Sequence, residues 1–310
     1  MNKIAIILPA YNESLTIKDT ILSFYNELPA ANIVVIDNNS SDDTYKIAEE
    51  TFQKHGINGT LVFEGRQGKG NAIRRAFKQI DADIYVMSDA DMTYPATSVH
   101  ELIVPIENKS ADMVVGDRIS QGHYKKENKR PFHNFGNNLV KKMVNKLFNS
   151  DITDIMSGYR AFSRVFIKNY PILVEGFELE TDMTLHALDK RFNIKEISID
   201  YKDRPEGSYS KLDTFSDGAK VIFTIIQILR YYRPFIFFGI LSLLFALFSL
   251  ISAIPVFQDW FTHKYIYHVP LAILATGFGL ISIIFFSLGT ILDSIAHQHK
   301  IDFEQKVIDN

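Results

Sequence analysis

The sequence predicts an α/β protein: a mostly parallel sheet flanked by helices, followed by a C-terminal two-helix transmembrane hairpin. Three observations carry this. Short apolar runs alternate with helical patterns through the first half of the 310-residue chain. Polar loops follow several of those runs. Two later stretches stay apolar for the roughly 20 residues that about 30 Å of hydrocarbon requires.

Taken in order, strands are expected at residues 3–9, 32–37, 60–64, 83–88 and 112–116, and helices at 13–28, 42–55, 69–79 and 97–107. Strands alternating with helices imply parallel pairing with helices covering the sheet. In such sheets ligands bind beyond the carboxyl ends of the strands. The loops Ala10-Tyr-Asn-Glu13, Asp37-Asn-Asn-Ser-Ser-Asp-Asp43 and Ser88-Asp-Ala-Asp91 are expected to converge there. The second half is less regular. Pro131 can open a helix to residue 148, in which Phe132, Phe135, Leu139, Met143 and Leu147 recur at helical spacing beside Lys141, Lys142 and Lys146. Such a helix suits either a core face or a bilayer surface. A helix at 179–190 and a strand at 194–200 follow. Residues 213–233 read as an interfacial helix leading into the membrane.

No charged side chain occurs between residues 235 and 257, and between 266 and 292 only His268 can take up a charge near neutral pH. Soluble helices rarely stay apolar on every face for so long. The apolar run at residues 4–8 is too short for a signal peptide. Lys211, Lys220, Arg230 and Arg233 precede the first span, whereas the intervening loop carries Lys264. The positive-inside bias therefore places the large domain and both termini in the cytoplasm. The expected divisions are a catalytic domain at 1–212, a connector at 213–233, the hairpin at 234–292 and a tail at 293–310. With no cysteine, disulfides and thiolate chemistry are excluded, and a net charge of −3 argues against a nucleic-acid partner.

Asp89 and Asp91, separated by one residue at the end of an apolar strand, are the candidate metal ligands. Hard cations such as Mg²⁺ and Mn²⁺ take carboxylate oxygens together with substrate phosphates. Asp37 can accept hydrogen bonds from a base or ribose, while Ser40 or Ser41 can cap the next helix. The Gly65-Arg-Gln-Gly-Lys-Gly70 loop is no Walker A motif, but its amides and Lys69 can reach a nucleotide. Two further clusters are Asp154-Ile-Met-Ser-Gly-Tyr-Arg160 and Arg204-Pro-Glu-Gly-Ser-Tyr-Ser-Lys211. The second, just before the membrane connector, suits either a lipid phosphate or anionic headgroups. Arg118 and Arg130 are further candidates for orienting phosphates. Glu178 and Glu180 are either catalytic carboxylates or partners for Arg160 or Arg204.

Together, Pro9-Ala-Tyr-Asn-Glu13, Val35-Ile-Asp-Asn38, Gly68-Lys-Gly-Asn-Ala72, Asp89-Ala-Asp91, Ser157-Gly-Tyr-Arg160 and Arg204-Pro-Glu-Gly-Ser-Tyr-Ser-Lys-Leu212 resemble glycosyltransferase family 2. The resemblance is to its polyprenyl-phosphate hexosyltransferase branch and spans nearly all of residues 3–212. It implies a nucleotide-sugar-binding GT-A fold, a divalent cation (Mg²⁺ or Mn²⁺) and inverting transfer of a hexose to a polyprenyl phosphate. UDP-sugars are slightly preferred over GDP-mannose as donors. By resemblance, Pro9, Tyr11, Glu13, Asp37, Asn38, Lys69 and Asp89 belong to the nucleotide-sugar pocket, and Asp89 with Asp91 to the metal and diphosphate. The resemblance also carries Arg204, Ser210 and Lys211 to the donor and acceptor phosphates; with Arg118 and Arg130 from the residue reading they are the candidates for the lipid phosphate, and Asp89, Asp91, Arg204 and Glu180 are the candidate catalytic residues. Two positions depart from the common pattern: Asn38 stands where relatives often carry a second Asp, and Thr93 where they often carry Gln. Another lipid acceptor, or a non-catalytic nucleotide-sugar-binding scaffold, remains the alternative, and a homo-oligomer is compatible with the sequence.

Overall fold

The computed structural model describes residues 2–120, 131–175, 178–202 and 217–308. Two compact units divide at Thr214 and Phe215.

The first unit is built on a seven-stranded sheet. Its strands are β1 (Ile4–Ala10), β2 (Asn32–Asp37), β3 (Thr60–Phe63), β4 (Ile84–Met87), β5 (Met113–Asp117), β6 (Arg160–Ser163) and β7 (Ile194–Ser198), in the order β3-β2-β1-β4-β6-β5-β7. β3, β2, β1 and β4 pair in parallel, as do β5 and β7. β6 pairs antiparallel with both β4 and β5. The expected mostly parallel sheet is therefore present, with one reversed strand that the sequence reading did not contain. β6 is four residues long, too short for an alternating pattern to show.

Helices α1 (Ile17–Glu27), α2 (Thr44–His55) and α4 (Val99–Glu107) cover one face of the sheet. Helices α3 (Lys69–Gln79), α6 (Arg164–Asn169) and α7 (Leu179–Asp189) cover the other. Along β1, Ile6 and Leu8 enter the first core while Ala5 and Ile7 enter the second. Both faces are thus apolar, which is why β1 and β4 read as continuous hydrophobic runs. Helix α5 (Pro131–Phe148) buries Val140 and Val144 and exposes Leu139.

Helix α1 starts four residues later than expected. Asn12 takes a left-handed φ of 53°, and the amides of Thr16 and Ile17 both bond the Glu13 carbonyl, so residues 11–16 form a turn at the sheet edge. Such backbone is found where surrounding structure imposes it, commonly at ligand sites.

The second unit holds α8 (Asp217–Tyr232), α9 (Pro234–His263) and α10 (Val269–Ile308). Both α9 and α10 are long and apolar enough to cross a membrane, and only 6% and 11% of their most apolar windows are buried in the protein. They pair through Ser242 and Ser282, whose hydroxyls lie 3.1 Å apart, through Ser249 on the Ala275 carbonyl at 2.7 Å, and through rings such as Phe245 with Phe278. Asp259 accepts from the amides of Tyr267 and His268 and closes the turn between them. Residues 293–308, expected as a separate tail, continue α10.

Candidate active site

Parallel pairing aligns the carboxyl ends of three strands. Ala10 of β1 lies opposite Asp37 of β2, and the Asn38 amide donates to the Ala10 carbonyl at 2.8 Å. β4 ends on the same side, three residues earlier along β1: Met87 lies opposite Ile7, whose carbonyl accepts from the Ser88 amide. The three polar loops therefore share one edge.

Asp91 is 3% exposed, and its Oδ1 accepts from Thr93 Oγ1 at 2.6 Å and from the Thr93 amide at 3.2 Å. Thr93 thus orients Asp91, a role invisible in the sequence. Between the two acids, the Ala90 carbonyl accepts from Thr16 Oγ1 at 2.8 Å and Thr20 Oγ1 at 3.2 Å. The next residue, Met92, has a φ of 64°, a costly conformation for a bulky side chain. Helix α1 and this turn hold the Asp-Ala-Asp segment rigidly.

Lys69, the first residue of α3, donates from Nζ to Asp89 Oδ1 and, at 2.5 Å, to Glu180 Oε1 on α7. Burial opposes its positive charge, but the two carboxylates outweigh that and hold its pKa above the ordinary lysine range. Glu180 therefore pairs with Lys69, not with Arg160 as one reading allowed. Arg160 is fully buried; its guanidinium donates to the carbonyls of Ser157 and Ile155 and to Thr184 Oγ1. A buried arginine wrapped this way fixes the 155–160 turn. At its centre, a Cβ on Gly158 would lie 2.8 Å from Asp89 Oδ2 and 3.0 Å from Lys69 Nζ, so a methyl group there would push the Asp89–Lys69 pair aside.

Asp37 is 2% exposed. Its Oδ2 accepts from the Ser40 amide at 3.3 Å, and its buried Oδ1 has no protein hydrogen-bond partner. A buried acceptor left unpaired is costly, so a donor from a bound water or a ligand would stabilise it. Asn38 has a different task from its neighbour. Its Nδ2 donates to the carbonyls of Glu64 and Arg66, and its Oδ1 accepts from the Gly68 amide at 2.8 Å. Asn38 staples the glycine loop to the sheet edge. The glycines at 68 and 70 serve close packing: a Cβ would lie 2.2 Å from the Glu175 carbonyl oxygen and 2.1 Å from that of Val174.

Pro9 lies within β1, opposite Ile36, and Tyr11 and Glu13 follow on the same edge, half-buried. The Glu13 amide donates to Thr44 Oγ1, and its carboxylate accepts from Thr16 Oγ1. Arg118, just past β5, sits in a bidentate pair with Asp154, at 2.7 and 2.9 Å. Burial works against the Asp154 carboxylate, yet this guanidinium holds its pKa below the usual range. Tyr94 links the groups: its hydroxyl accepts from the Gly158 amide at 2.9 Å and faces Arg118 Nη1 at 3.4 Å. The sequence reading missed Tyr94, which carries no motif of its own. Arg130, Arg204, Ser210 and Lys211 lie outside the described residues. The chain approaches 203 from the site, since the Lys202 amide donates to the Thr93 carbonyl at 3.0 Å and Tyr201 packs on Tyr94.

Asp89 and Asp91 are hard oxygen donors, and among the described residues no third acid or histidine joins them in a metal-holding group. That donor set fits a cation that completes its shell with substrate phosphates.

Residues 5–170 match the family model described as Glycosyl transferase family 2. Glycosyltransferase AglJ of Haloferax volcanii is 28% identical over 96% of this chain and 95% of its own length. The UDP-N-acetylglucosamine–dolichyl-phosphate N-acetylglucosaminyltransferase of Methanococcus voltae is 29% identical over 63% of this chain and 84% of that one. Crystalline glucosyl-3-phosphoglycerate synthase from Mycobacterium tuberculosis, in complex with Mn²⁺, UDP and phosphoglyceric acid, superposes with a TM-score of 0.55. It is 22% identical over 74% of this chain and 78% of that one, a likeness that speaks for the fold alone.

Proposed function

The chain belongs to glycosyl transferase family 2, and on that premise we propose that this glycosyltransferase moves a hexose from a nucleotide-sugar, preferentially a UDP-sugar, to a polyprenyl phosphate at the cytoplasmic face of a membrane. The observation that carries the reading is the rigid Asp-Ala-Asp turn sharing one sheet edge with the unpaired buried oxygen of Asp37. The polyprenyl acceptor is supported by relatives whose names specify dolichyl or dolichol phosphate, and by two membrane-length helices in the same chain.

In this reading Asp37 accepts from the base or ribose, and Pro9, Tyr11 and Glu13 line the nucleotide pocket. Asp89 and Asp91 would hold Mg²⁺ or Mn²⁺, which when bound would neutralise charge growing on the leaving diphosphate. The acceptor phosphate oxygen attacks the anomeric carbon from the face opposite the diphosphate. The new C–O bond forms as the bond to the diphosphate oxygen breaks, inverting the centre. A phosphate monoester has its second pKa near about 6, so the nucleophile is already anionic at neutral pH. No strong general base is then required, and positioning carries the step. Glu180 and Lys69 set the Asp89 carboxylate. Arg118, through Asp154 and Tyr94, sets the turn containing Gly158. Arg204, Ser210 and Lys211, with Arg130, are assigned to the lipid phosphate.

The deciding experiment incubates the purified protein with a panel of UDP- and GDP-sugars, a polyprenyl phosphate and Mn²⁺ or Mg²⁺. Radiolabelled polyprenyl-phosphate sugar is the expected product. Transfer only to a diacylglycerol lipid, or to no lipid, would refute the acceptor assignment.

A further inference from the structure

We propose that Lys69 is the site's own counter-cation, so that a divalent cation is taken up as its nucleoside diphosphate complex and not as the free ion. The inference rests on the reading that Asp89 and Asp91 hold the cation, and goes beyond it by assigning the order in which cation and nucleotide can bind.

The geometry is specific. Lys69 Nζ is shared between Asp89 Oδ1 and Glu180 Oε1, and its side chain is only 10% exposed. The buried Gly158 backbone closes over the pair: the position of a Cβ there is 2.8 Å and 3.1 Å from the two Asp89 oxygens. A full positive charge thus sits in contact with the carboxylate expected to ligate the cation. A free divalent ion approaching Asp89 meets that charge at short range, where little water screens it. It must share the carboxylate or displace the ammonium. A cation already carrying a nucleoside diphosphate brings phosphate oxygens that offer the ammonium another anion, which offsets that repulsion. Glu180 completes the device, because an ammonium drawn off Asp89 keeps one buried acceptor and is not stranded.

The test is Mn²⁺ binding by the purified full-length protein, read from the loss of the free-ion electron paramagnetic resonance signal relative to protein-free samples of the same composition, with no nucleotide, with UDP and with GDP. Wild type should bind Mn²⁺ at least about tenfold more tightly with one of the nucleotides than without. Lys69→Met should tighten nucleotide-free binding by about tenfold or more and so shrink that difference. Adding Asp91→Asn to Lys69→Met should abolish the gain. If Lys69→Met does not fold, Lys69→Gln supplies a polar donor without the charge and should give the same gain. Nucleotide-free Mn²⁺ affinity in the Lys69 variants no tighter than in wild type, with nucleotide-dependent binding intact in both, would overturn this inference alone. No Mn²⁺ binding by wild type with either nucleotide would overturn the metal reading and this inference together.

Discussion

At the scale of single residues, the site is defined by which oxygens are already used. Asp91 is oriented by Thr93, Asp89 is charge-paired with Lys69, and Asp37 keeps one buried oxygen without a protein donor. Asp91→Asn should therefore lower kcat by roughly a hundredfold or more, because it removes charge where transition-state electrostatics dominate. Its melting temperature should stay near wild type; retained turnover in the purified variant would remove Asp91 from the reaction. Gly158→Ala places a methyl group 2.8 Å from Asp89 Oδ2, which no buried pair can absorb without moving. We expect a fall in kcat larger than any change in donor affinity, since the carboxylate shifts while Asp37 does not. A titration of UDP binding beside the kinetics distinguishes these. Asp89 and Asp91 stood out as candidates from their spacing at the end of an apolar strand, and Gly158 only as part of a motif. Tyr94 and Thr93 were not legible as supports, because hydrogen bonds to residues far apart or buried leave no pattern in sequence.

At the scale of elements, the glycine loop and α7 show how packing sets chemistry. The loop 65–70 was read as one whose amides and Lys69 can reach a nucleotide; Asn38 pins it at Arg66 and Gly68, and the Val174–Glu175 backbone lies against it. Helix α7 brings Glu180 to the site from one face and buries His186 on another, among the rings of Phe166, Tyr170 and Phe192. Burial pushes the His186 pKa down to about 4, and the nearby Lys190 ammonium adds to this. Between the ordinary value of 6.5 and about 4, the unfolded chain binds a proton that the folded chain refuses. Stability must then fall as pH drops through that window, by up to about 3 kcal/mol, and fall no further on this account below it. His186→Phe should flatten the slope of melting temperature against pH between those limits. An unchanged slope would mean that other groups carry the acid sensitivity.

At the scale of the whole molecule, a candidate active site on a mostly parallel sheet is joined in one chain to two helices long and apolar enough to cross a membrane. At about 1.5 Å per residue, the 40 residues of α10 exceed what a bilayer core needs, and the excess is its charged C-terminal end. The proposed orientation places that end and the catalytic domain on the cytoplasmic side, with the turn between α9 and α10 outside. Because the chain has no cysteine, single substitutions report cleanly. A membrane-impermeant maleimide should label Thr262→Cys in intact cells and Gln305→Cys only after lysis; the reverse pattern would invert the topology.

The sequence by itself determined the class of fold, the two membrane-length helices and the acids at the ends of β2 and β4. These follow from local periodicity and from side chains whose chemistry has few other uses at a strand's end. Only the tertiary structure decided that β6 runs backwards between β4 and β5, that Glu180 meets Lys69 rather than Arg160, and that Asn38 holds a loop. Each of those depends on contacts between residues distant in the chain, where burial and charge select one partner from several of equal local merit.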